Sequence, residues 1–168
     1  LQSLDVRTLG VAGGSMVRVS DGKIVDIGPR SAHIAGKEYE CFQEDGTLDG
    51  AKVLFVSPRA DDPKEYVLVQ NPAGKEYSLT LAGAANLLGY VPEEDYARGR
   101  QQPTRAAWDA LGAYLGCTGE EAARKTMDLA MDKLVDVVEE LIDEYELDTK
   151  FVTLVGGGGS GAVIVHAL

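Results

Sequence analysis

The fold is decided by the stretch Ala12-Gly-Gly-Ser-Met-Val-Arg-Val-Ser-Asp-Gly-Lys-Ile-Val-Asp-Ile27. Two runs of β-favouring residues, 16–19 and 23–27, lie on either side of an Asp21-Gly22 pair. An Asp-Gly pair between such runs is a strong local signal for a tight antiparallel turn. The sequence therefore predicts a β-hairpin near the start of the chain.

A glycine turn is expected directly before this hairpin. Residues 6–11 are predicted to form a short strand that runs into Ala12-Gly13-Gly14-Ser15, a turn that only small residues make tightly. After the hairpin, Gly28-Pro29 is predicted to break the sheet. The region from there to about Leu48 has no clear period, so it is predicted to be a loop.

The middle of the chain predicts a small antiparallel meander. Residues 53–56, 66–69 and 77–80 are short β-favouring runs, and the segments between them are rich in Pro, Asp, Asn and Gly. We treat residues 49–80 as an insertion that carries this meander.

The periodicity then changes to that of helices. Residues 81–88 and 103–115 are predicted to be helical, and Gly89 and Gly116 are placed to end these helices. A long amphipathic helix is predicted over residues 120–145, because its apolar residues recur every three or four positions. Thr118 and Glu121 match a capping box at its start. We expect its apolar side, including Leu134, to face the sheet and its acidic side to face water.

The end of the chain predicts a strand, a glycine loop and a helix, in that order. Residues 151–155 are read as the strand, and an apolar helical segment is expected after the loop. The glycine loop consists of Gly156, Gly157, Gly158, Gly159 and Ser160. Such an arrangement places backbone amides at a helix N-terminus, where they attract phosphate. The predicted fold class is thus mixed α/β (α+β), with β-hairpins followed by helices.

Composition excludes several functional classes. The 168 residues are 45% hydrophobic and carry a formal net charge of -11 without a basic stripe, so no nucleic-acid partner is expected. The longest apolar runs are far shorter than the roughly 20 residues of a membrane helix. Cys41 and Cys117 match no disulfide framework or zinc pattern. No signal peptide is recognised, so we expect a cytoplasmic protein, and the absence of an initiator Met leads us to expect a piece of a longer chain.

The two glycine turns are the informative feature, although a single glycine turn is more often structural than ligand-binding. Glycine lets a ligand approach main-chain amides that a Cβ would shield. Neither turn matches the common nucleotide fingerprints: the first has no following Lys-Ser/Thr, and the second has no acidic residue about 20 positions on.

Several separated segments form a recognisable set: Asp5-Val-Arg-Thr-Leu-Gly-Val-Ala-Gly-Gly-Ser-Met-Val-Arg-Val19, Ile27-Gly-Pro-Arg-Ser-Ala32, Glu40-Cys41-Phe42, Ala85-Asn86-Leu-Leu-Gly89, Phe151-Val-Thr-Leu-Val-Gly-Gly-Gly-Gly-Ser-Gly161 and His166-Ala167. Together they resemble the hydantoinase/oxoprolinase family, and their order and spacing agree with it over nearly the whole chain.

The chain departs from the family pattern in a few places. Gly83-Ala84 stands where many relatives have Thr-Asp, so no role of that acid is carried over. Residues 33–37 replace an Asp-containing loop, and residues 52–75 have no recognised counterpart. The first acidic phosphate turn of the family is absent from the chain.

The resemblance implies an actin-like ATPase (ribonuclease H-like) fold, with residues 1–168 as one nucleotide-binding domain made of parts 1–48, 49–80 and 81–168. In that fold Gly13, Gly14 and Ser15 would face the phosphates of ATP, and residues 156–160 the adenosine. The implied activity is ATP-dependent opening of a cyclic amide such as a hydantoin or 5-oxoproline, with Mg²⁺. The implied partners are this substrate, the rest of the polypeptide and a second hydantoinase subunit.

Two other functions stay open. One is a regulatory or reactivating subunit that binds nucleotide without hydrolysing a cyclic amide. The other is a structural module whose glycine turns bind nothing. No residue is predicted to be a general base, since His33 and His166 are read as loop or packing histidines.

Overall fold

Strands come first along the chain and helices follow. The computed structural model describes residues 7–153 and residue 155. Its strands are β1 (Ser15–Ser20), β2 (Lys23–Ser31), β3 (Glu38–Tyr39), β4 (Lys52–Val56), β5 (Tyr66–Gln70) and β6 (Glu76–Ser78). Its α-helices are α1 (Leu81–Leu87), α2 (Gln101–Leu115) and α3 (Gly119–Glu144), and two 3₁₀ turns span Glu40–Phe42 and Thr149–Phe151. The chain is therefore mixed α/β, as predicted.

The predicted hairpin is confirmed. β1 and β2 pair antiparallel, and Asp21 and Gly22 both have positive φ, of 50° and 70°, as the tight turn between them requires. The prediction that Gly28-Pro29 breaks the sheet is wrong, because β2 runs through this cis peptide to Ser31, which pairs with Ser15. The pairing of β1 with β2 shifts register between Ser15 and Val17, opposite Gly28-Pro29. Such a bulge is a place where a sheet tolerates proline.

The predicted meander is also confirmed, and its strands share a sheet with the hairpin. β5 pairs antiparallel with β4 on one side and with β6 and the end of β1 on the other. Within the described residues the sheet order is β2-β1-β5-β6-β3, with β4 paired to β5. β3 pairs parallel to β6, so the region predicted as loop up to Leu48 contains a short strand as well as the first 3₁₀ turn.

The strand predicted at residues 6–11 is not formed by residues 7–11. Gly10 instead lies against Gly28-Pro29: a Cβ on Gly10 would be 2.9 Å from Pro29 Cβ, and one on Gly28 would be 2.4 Å from the Gly10 carbonyl oxygen. From Ser15 onward, in contrast, β1 has hydrogen-bonding neighbours along both edges: β2 lies on one side, and Thr80 bridges to Met16 on the other. A β-favouring run becomes a strand only where an edge offers hydrogen bonds, which local propensity does not report.

The strand predicted at residues 151–155 is likewise wrong for the residues described there. Phe151 ends the second 3₁₀ turn, and neither residues 152 and 153 nor residue 155 belongs to a strand. Phe151 and Val155 are 85% and 88% exposed, so neither of these two side chains is covered in the way that a buried strand requires. The glycine loop and the helix predicted beyond it lie outside the described residues.

All three predicted helices are confirmed. As predicted, Gly89 with a positive φ of 77° follows the end of α1, and Gly116 ends α2 in the left-handed conformation. Thr80, which was not predicted as a cap, begins α1 by accepting a hydrogen bond from the Gly83 N–H. Thr118 and Glu121 form the predicted capping box of α3. Among the described residues, no helix combines the length and the apolar character needed to cross a membrane.

The core lies between the sheet and the helices. Alternate residues of β1 and β5 point to opposite faces, so that Val17, Val19, Val67 and Val69 pack with the helices, while Met16, Tyr66 and Leu68 form a smaller cluster on the other face. Ala107, Trp108 and Leu111 of α2 are fully buried in the main cluster.

The long helix α3 is buried over only part of its length. Ala123, Met127 and Ala130 belong to the core, whereas the apolar side from Leu134 onward is only partly covered and Tyr145 is half exposed. The expectation that the whole apolar side faces the sheet is therefore wrong for its second half. The buried residues of this 26-residue helix end at Ala130, about halfway along it.

This difference in burial predicts unequal costs of truncation. Leu111→Ala should lower the free energy of unfolding by roughly 2 to 5 kcal/mol, because it leaves a cavity in the core. Leu134→Ala should lower it by less than about 1.5 kcal/mol, since that side chain is already partly solvated. Denaturant unfolding measures both, with the exposed Asp136→Ala as control. Equal losses for the two leucines would contradict this account of α3.

Candidate functional site

An apolar groove of about 400 Å³ opens beside the first glycine turn. One wall is the segment before β1, with Leu9, Val11, Gly13 and Gly14, and the other walls come from α1 and α3. The aromatic rings of Tyr39, Phe42 and Tyr96 also line it. Concave, mainly apolar pockets of this size are typical of ligand sites.

The glycine turn is fixed by hydrogen bonds on both sides. The Ser15 N–H donates to the Ala12 carbonyl (2.9 Å), and the Ala12 N–H donates back to the Ser15 hydroxyl (2.9 Å). The Gly13 carbonyl accepts from the Ala82 N–H in α1 (2.8 Å), and the Gly14 carbonyl accepts from the Ala32 N–H after β2 (2.9 Å). The turn is thereby tied to the first turn of α1 and to the end of the hairpin.

The predicted site residues occupy different places. Gly13 and Gly14 line the groove. Ser15 is 4% exposed and its hydroxyl holds the turn together from within, so its side chain does not line the groove. Residues 156–160 lie outside the described residues, and the convergence of the two glycine turns stays a prediction.

The protein's own packing requires a glycine at position 14. A Cβ placed there would lie 2.0 Å from the Tyr39 hydroxyl oxygen and 3.1 Å from the Ser31 hydroxyl oxygen. Burial raises the pKa of Tyr39, whose ring also stacks on Phe42 with centroids 5.7 Å apart. The Tyr39 side chain thus occupies the space that glycine leaves open at this point.

Asn86 holds the loop at the far side of the groove. Its side-chain amide donates to the carbonyls of Ala82 (3.0 Å) and Ala97 (3.2 Å), and its side-chain oxygen accepts from the Gly99 N–H (2.7 Å). Asn86 is fully buried. These bonds connect α1 to the loop that carries Tyr96, so the asparagine of the Ala85-to-Gly89 motif positions a wall of the groove.

A buried carboxyl group lies behind the groove, in the 3₁₀ turn that carries Phe42. Glu40 is 0% exposed, and its carboxylate accepts hydrogen bonds from the Thr80 N–H (3.2 Å), the Thr80 hydroxyl (3.0 Å) and the Trp108 indole N–H (3.0 Å). Burial raises the pKa of Glu40 to about 7, and these hydrogen bonds limit the rise. Burial, with the nearby Glu40 charge, also raises the pKa of the Cys41 thiol, which keeps that thiol protonated.

Glu40, Thr80 and Trp108 form what we call the Glu40 cluster, which sequence reasoning did not identify. Its three members are 28 to 68 residues apart along the chain, and a single sequence gives no signal that joins them. One local sign exists in Gly83, a glycine inside a helix: a Cβ there would lie 1.6 Å from a Glu40 carboxylate oxygen. A glycine within a helix indicates that another group comes close to the backbone.

The described lining of the groove carries no charged side chain. Over residues 7–153 and 155 no group of three or more His, Cys, Asp or Glu side chains is placed to hold a metal ion. His33 is exposed in a turn, and His166 lies outside the described residues. Cys41 is buried and Cys117 exposed, and both are free thiols.

The model of the family described as hydantoinase/oxoprolinase matches residues 1–168. Neither the curated proteins nor the solved structures contain a match to this chain.

The contact at Gly14 predicts a coupled effect of two substitutions. Gly14→Ala should lower the free energy of unfolding by roughly 1 to 3 kcal/mol, because the new methyl group overlaps the Tyr39 hydroxyl. The loss should be smaller in a Tyr39→Phe background, where the atom at 2.0 Å is gone and the nearest ring carbon is 2.9 Å away. A Tyr77→Phe background, which alters a buried tyrosine elsewhere, should leave the loss unchanged. Equal losses in all backgrounds would mean that Tyr39 is not what requires glycine.

The buried carboxyl predicts a pH-dependent stability. The folded-state pKa of Glu40, about 7, is above its ordinary value of 4.5, so the folded protein holds this proton more tightly than the unfolded chain. Its stabilising contribution is full below about pH 4.5 and is lost as the pH rises through 7. Between pH 5 and pH 8 the free energy of unfolding should fall by roughly 2 kcal/mol more in the unmodified protein than in Glu40→Gln. Denaturant unfolding at a series of pH values measures this difference, and the exposed Glu93→Gln serves as control. A profile unchanged by Glu40→Gln would contradict the assignment.

Proposed function

Because the chain belongs to the hydantoinase/oxoprolinase family, we propose that it is the ATP-binding part of an enzyme that hydrolyses a cyclic amide of the hydantoin or 5-oxoproline type. The observation that carries the proposal is the family match over residues 1–168. The groove beside Gly13 and Gly14 supports it, since a concave and mainly apolar pocket of this size is typical of a ligand site.

An actin-like ATPase fold is part of the proposal. Its support is the order of elements: a glycine turn leads into the β1–β2 hairpin, and three helices follow the strands in the described part of the chain. The proposed cofactors are ATP and Mg²⁺. The proposed partners are a small cyclic amide, further parts of the same polypeptide and a second hydantoinase subunit.

The proposed overall reaction couples two hydrolyses. Transfer of the terminal phosphoryl group of ATP to the amide oxygen would make the ring carbon a better electrophile. Attack of one water at that carbon and cleavage of the ring C–N bond would give an open-chain acyl phosphate and ADP. A second water would then hydrolyse the acyl phosphate to the open-chain acid and phosphate. Stabilisation of the transferring group requires positive charge or hydrogen-bond donors close to it.

The described residues do not by themselves fit a triphosphate with its metal ion. The groove lining has neither a cationic side chain nor a carboxylate, and its glycine carbonyls already accept hydrogen bonds within the protein. This lining suits an uncharged, ring-shaped part of a ligand. We therefore assign no phosphoryl-transfer step to residues 7–153, and the groups that would hold phosphate and Mg²⁺ belong to other parts of the enzyme in this proposal.

The same feature favours a second candidate function. A groove without an acid, a base or a cation in its described lining suits nucleotide binding without catalysis, as in a regulatory or reactivating subunit of the actin-like ATPases. The two functions differ in one property: only the first makes ATP hydrolysis depend on a cyclic amide.

Nucleotide binding is tested by calorimetric titration of the 168-residue protein with MgATP. We expect weak binding that Leu134→Glu reduces about tenfold, because this substitution puts a negative charge in the groove. Val138→Glu is the matched control, one turn further along the same side of α3 and outside the groove lining, and should leave the affinity unchanged. Absence of binding at millimolar MgATP, or equal effects of both variants, would contradict nucleotide binding in the groove.

The reaction is tested by measuring phosphate release from ATP with and without 5-oxoproline or hydantoin. We expect no turnover from the 168-residue protein alone, and cyclic-amide-dependent turnover from the product of its complete gene with its partner subunit. If the protein binds nucleotide and its phosphate release does not depend on either amide, the regulatory function is favoured instead.

A further inference from the structure

The Glu40 cluster holds an acid without a cationic partner. The donors to its carboxylate are one hydroxyl and two N–H groups, all of them neutral. The Oε1 atom accepts both N–H bonds, from Thr80 and Trp108, and the Oε2 atom accepts the bond from the Thr80 hydroxyl. Because Oε2 has the single, rotatable donor, it is the oxygen that can take up a proton with the least loss of hydrogen bonding.

A short series of hydrogen bonds joins this carboxyl to the glycine turn. The Thr80 hydroxyl, which donates to Glu40, also accepts from the Gly83 N–H (3.2 Å) at the start of α1. The neighbouring Ala82 N–H in the same helical turn donates to the Gly13 carbonyl (2.8 Å). Both Ala82 and Gly13 line the groove. Glu40 thus binds Thr80, which caps the N-terminus of α1, and the first turn of α1 in turn binds the Gly13 carbonyl.

Few other titratable groups face Glu40 in the described structure. Its own segment brings the Tyr39 hydroxyl and the Cys41 thiol near it, and its charge contributes to the raised pKa of each. Helix α1 has no titratable side chain. On α2, Arg105 pairs with Glu120 and Asp109 lies against Gly119, at the start of α3.

We propose that Glu40 is a positioning residue for the groove, which transmits the gain or loss of its proton through Thr80 and α1 to the Gly13 turn. When Oε2 is ionised it accepts from the Thr80 hydroxyl. When Oε2 is protonated its O–H donates to the Thr80 oxygen, and the threonine proton must turn away. The Thr80 oxygen also accepts from Gly83, so reversal of this bond changes how the first turn of α1 is held.

Both forms are populated at neutral pH, because burial raises the pKa of Glu40 to about 7. A group that ionises there can act as a switch in the range where histidine usually does. The inference concerns atoms of this chain alone, so it does not depend on which ligand the groove takes.

The test is a ¹H–¹⁵N NMR titration of the unliganded protein from about pH 5 to pH 9. The chain has one tryptophan, so the indole N–H of Trp108 gives a single resonance that reports directly on Glu40. We expect this resonance and the amide resonances of Gly13, Ala82 and Gly83 to shift with one common midpoint near pH 7. In Glu40→Gln all these shifts should disappear.

Three further variants separate the steps. Thr80→Ser keeps the hydroxyl and should preserve the common midpoint. Thr80→Val should leave the Trp108 titration in place and abolish the shift at Gly13. His33→Gln alters an exposed side chain outside this series of hydrogen bonds and should change nothing.

The outcomes decide the proposal even if Glu40→Gln does not fold. A Trp108 resonance that shows no titration between about pH 5.5 and pH 8.5 in the unmodified protein would overturn it. So would a titrating Trp108 with a Gly13 amide that does not follow, because the carboxyl would then ionise without moving the turn. A shared shift that persists in Thr80→Val would overturn the route through Thr80.

Discussion

The fully buried contact between Trp108 and Glu40 fixes how the helices lie on the sheet. The indole is fully buried in the main core cluster, and its N–H finds its acceptor in a segment 68 residues away. A buried N–H and a buried carboxyl are each costly without a partner, so each stabilises the position of the other. Gly83 belongs to the same constraint, because a side chain there would overlap Glu40, and α1 could not then pack at this distance.

Features encoded by a few neighbouring residues could be predicted from the sequence. Asp21-Gly22 sets the hairpin by its backbone conformation, Gly116 ends α2 for the same reason, and Thr118 with Glu121 begins α3 through side-chain bonds to adjacent amides. Each signal acts within four residues, and tertiary packing did not override it. The strands expected at residues 6–11 and 151–155 had only propensity behind them, and a strand also needs a free edge and a covering layer.

The groove and the buried acid could not be predicted in the same way. The groove is formed where α1 and α3 meet the segment before β1, and its rim comes from positions as distant as Leu9 and Leu134. Gly13 and Gly14 could be identified from the sequence, because a position where another group comes close to the backbone often requires glycine. The one local sign near Glu40 is Gly83, a glycine inside a helix, and it does not tell which residue comes close. Glu40 therefore looks like any of the 27 acidic residues of the chain until Thr80 and Trp108 are seen around it.

The same packing gives the glycine turn its stiffness. Its carbonyls are held by Ala82 and Ala32, its inner side is closed by Ser15, and Tyr39 fills the space above Gly14. A turn held on so many sides has little freedom left to lose when a ligand binds, which lowers the entropic cost of binding at the groove. The opposite rim differs, since Tyr96 is 91% exposed and the second half of α3 is only partly covered. In the proposed ligand site, selectivity would therefore rest on the side formed by the turn and α1, and adaptation to a ligand would rest on the exposed rim.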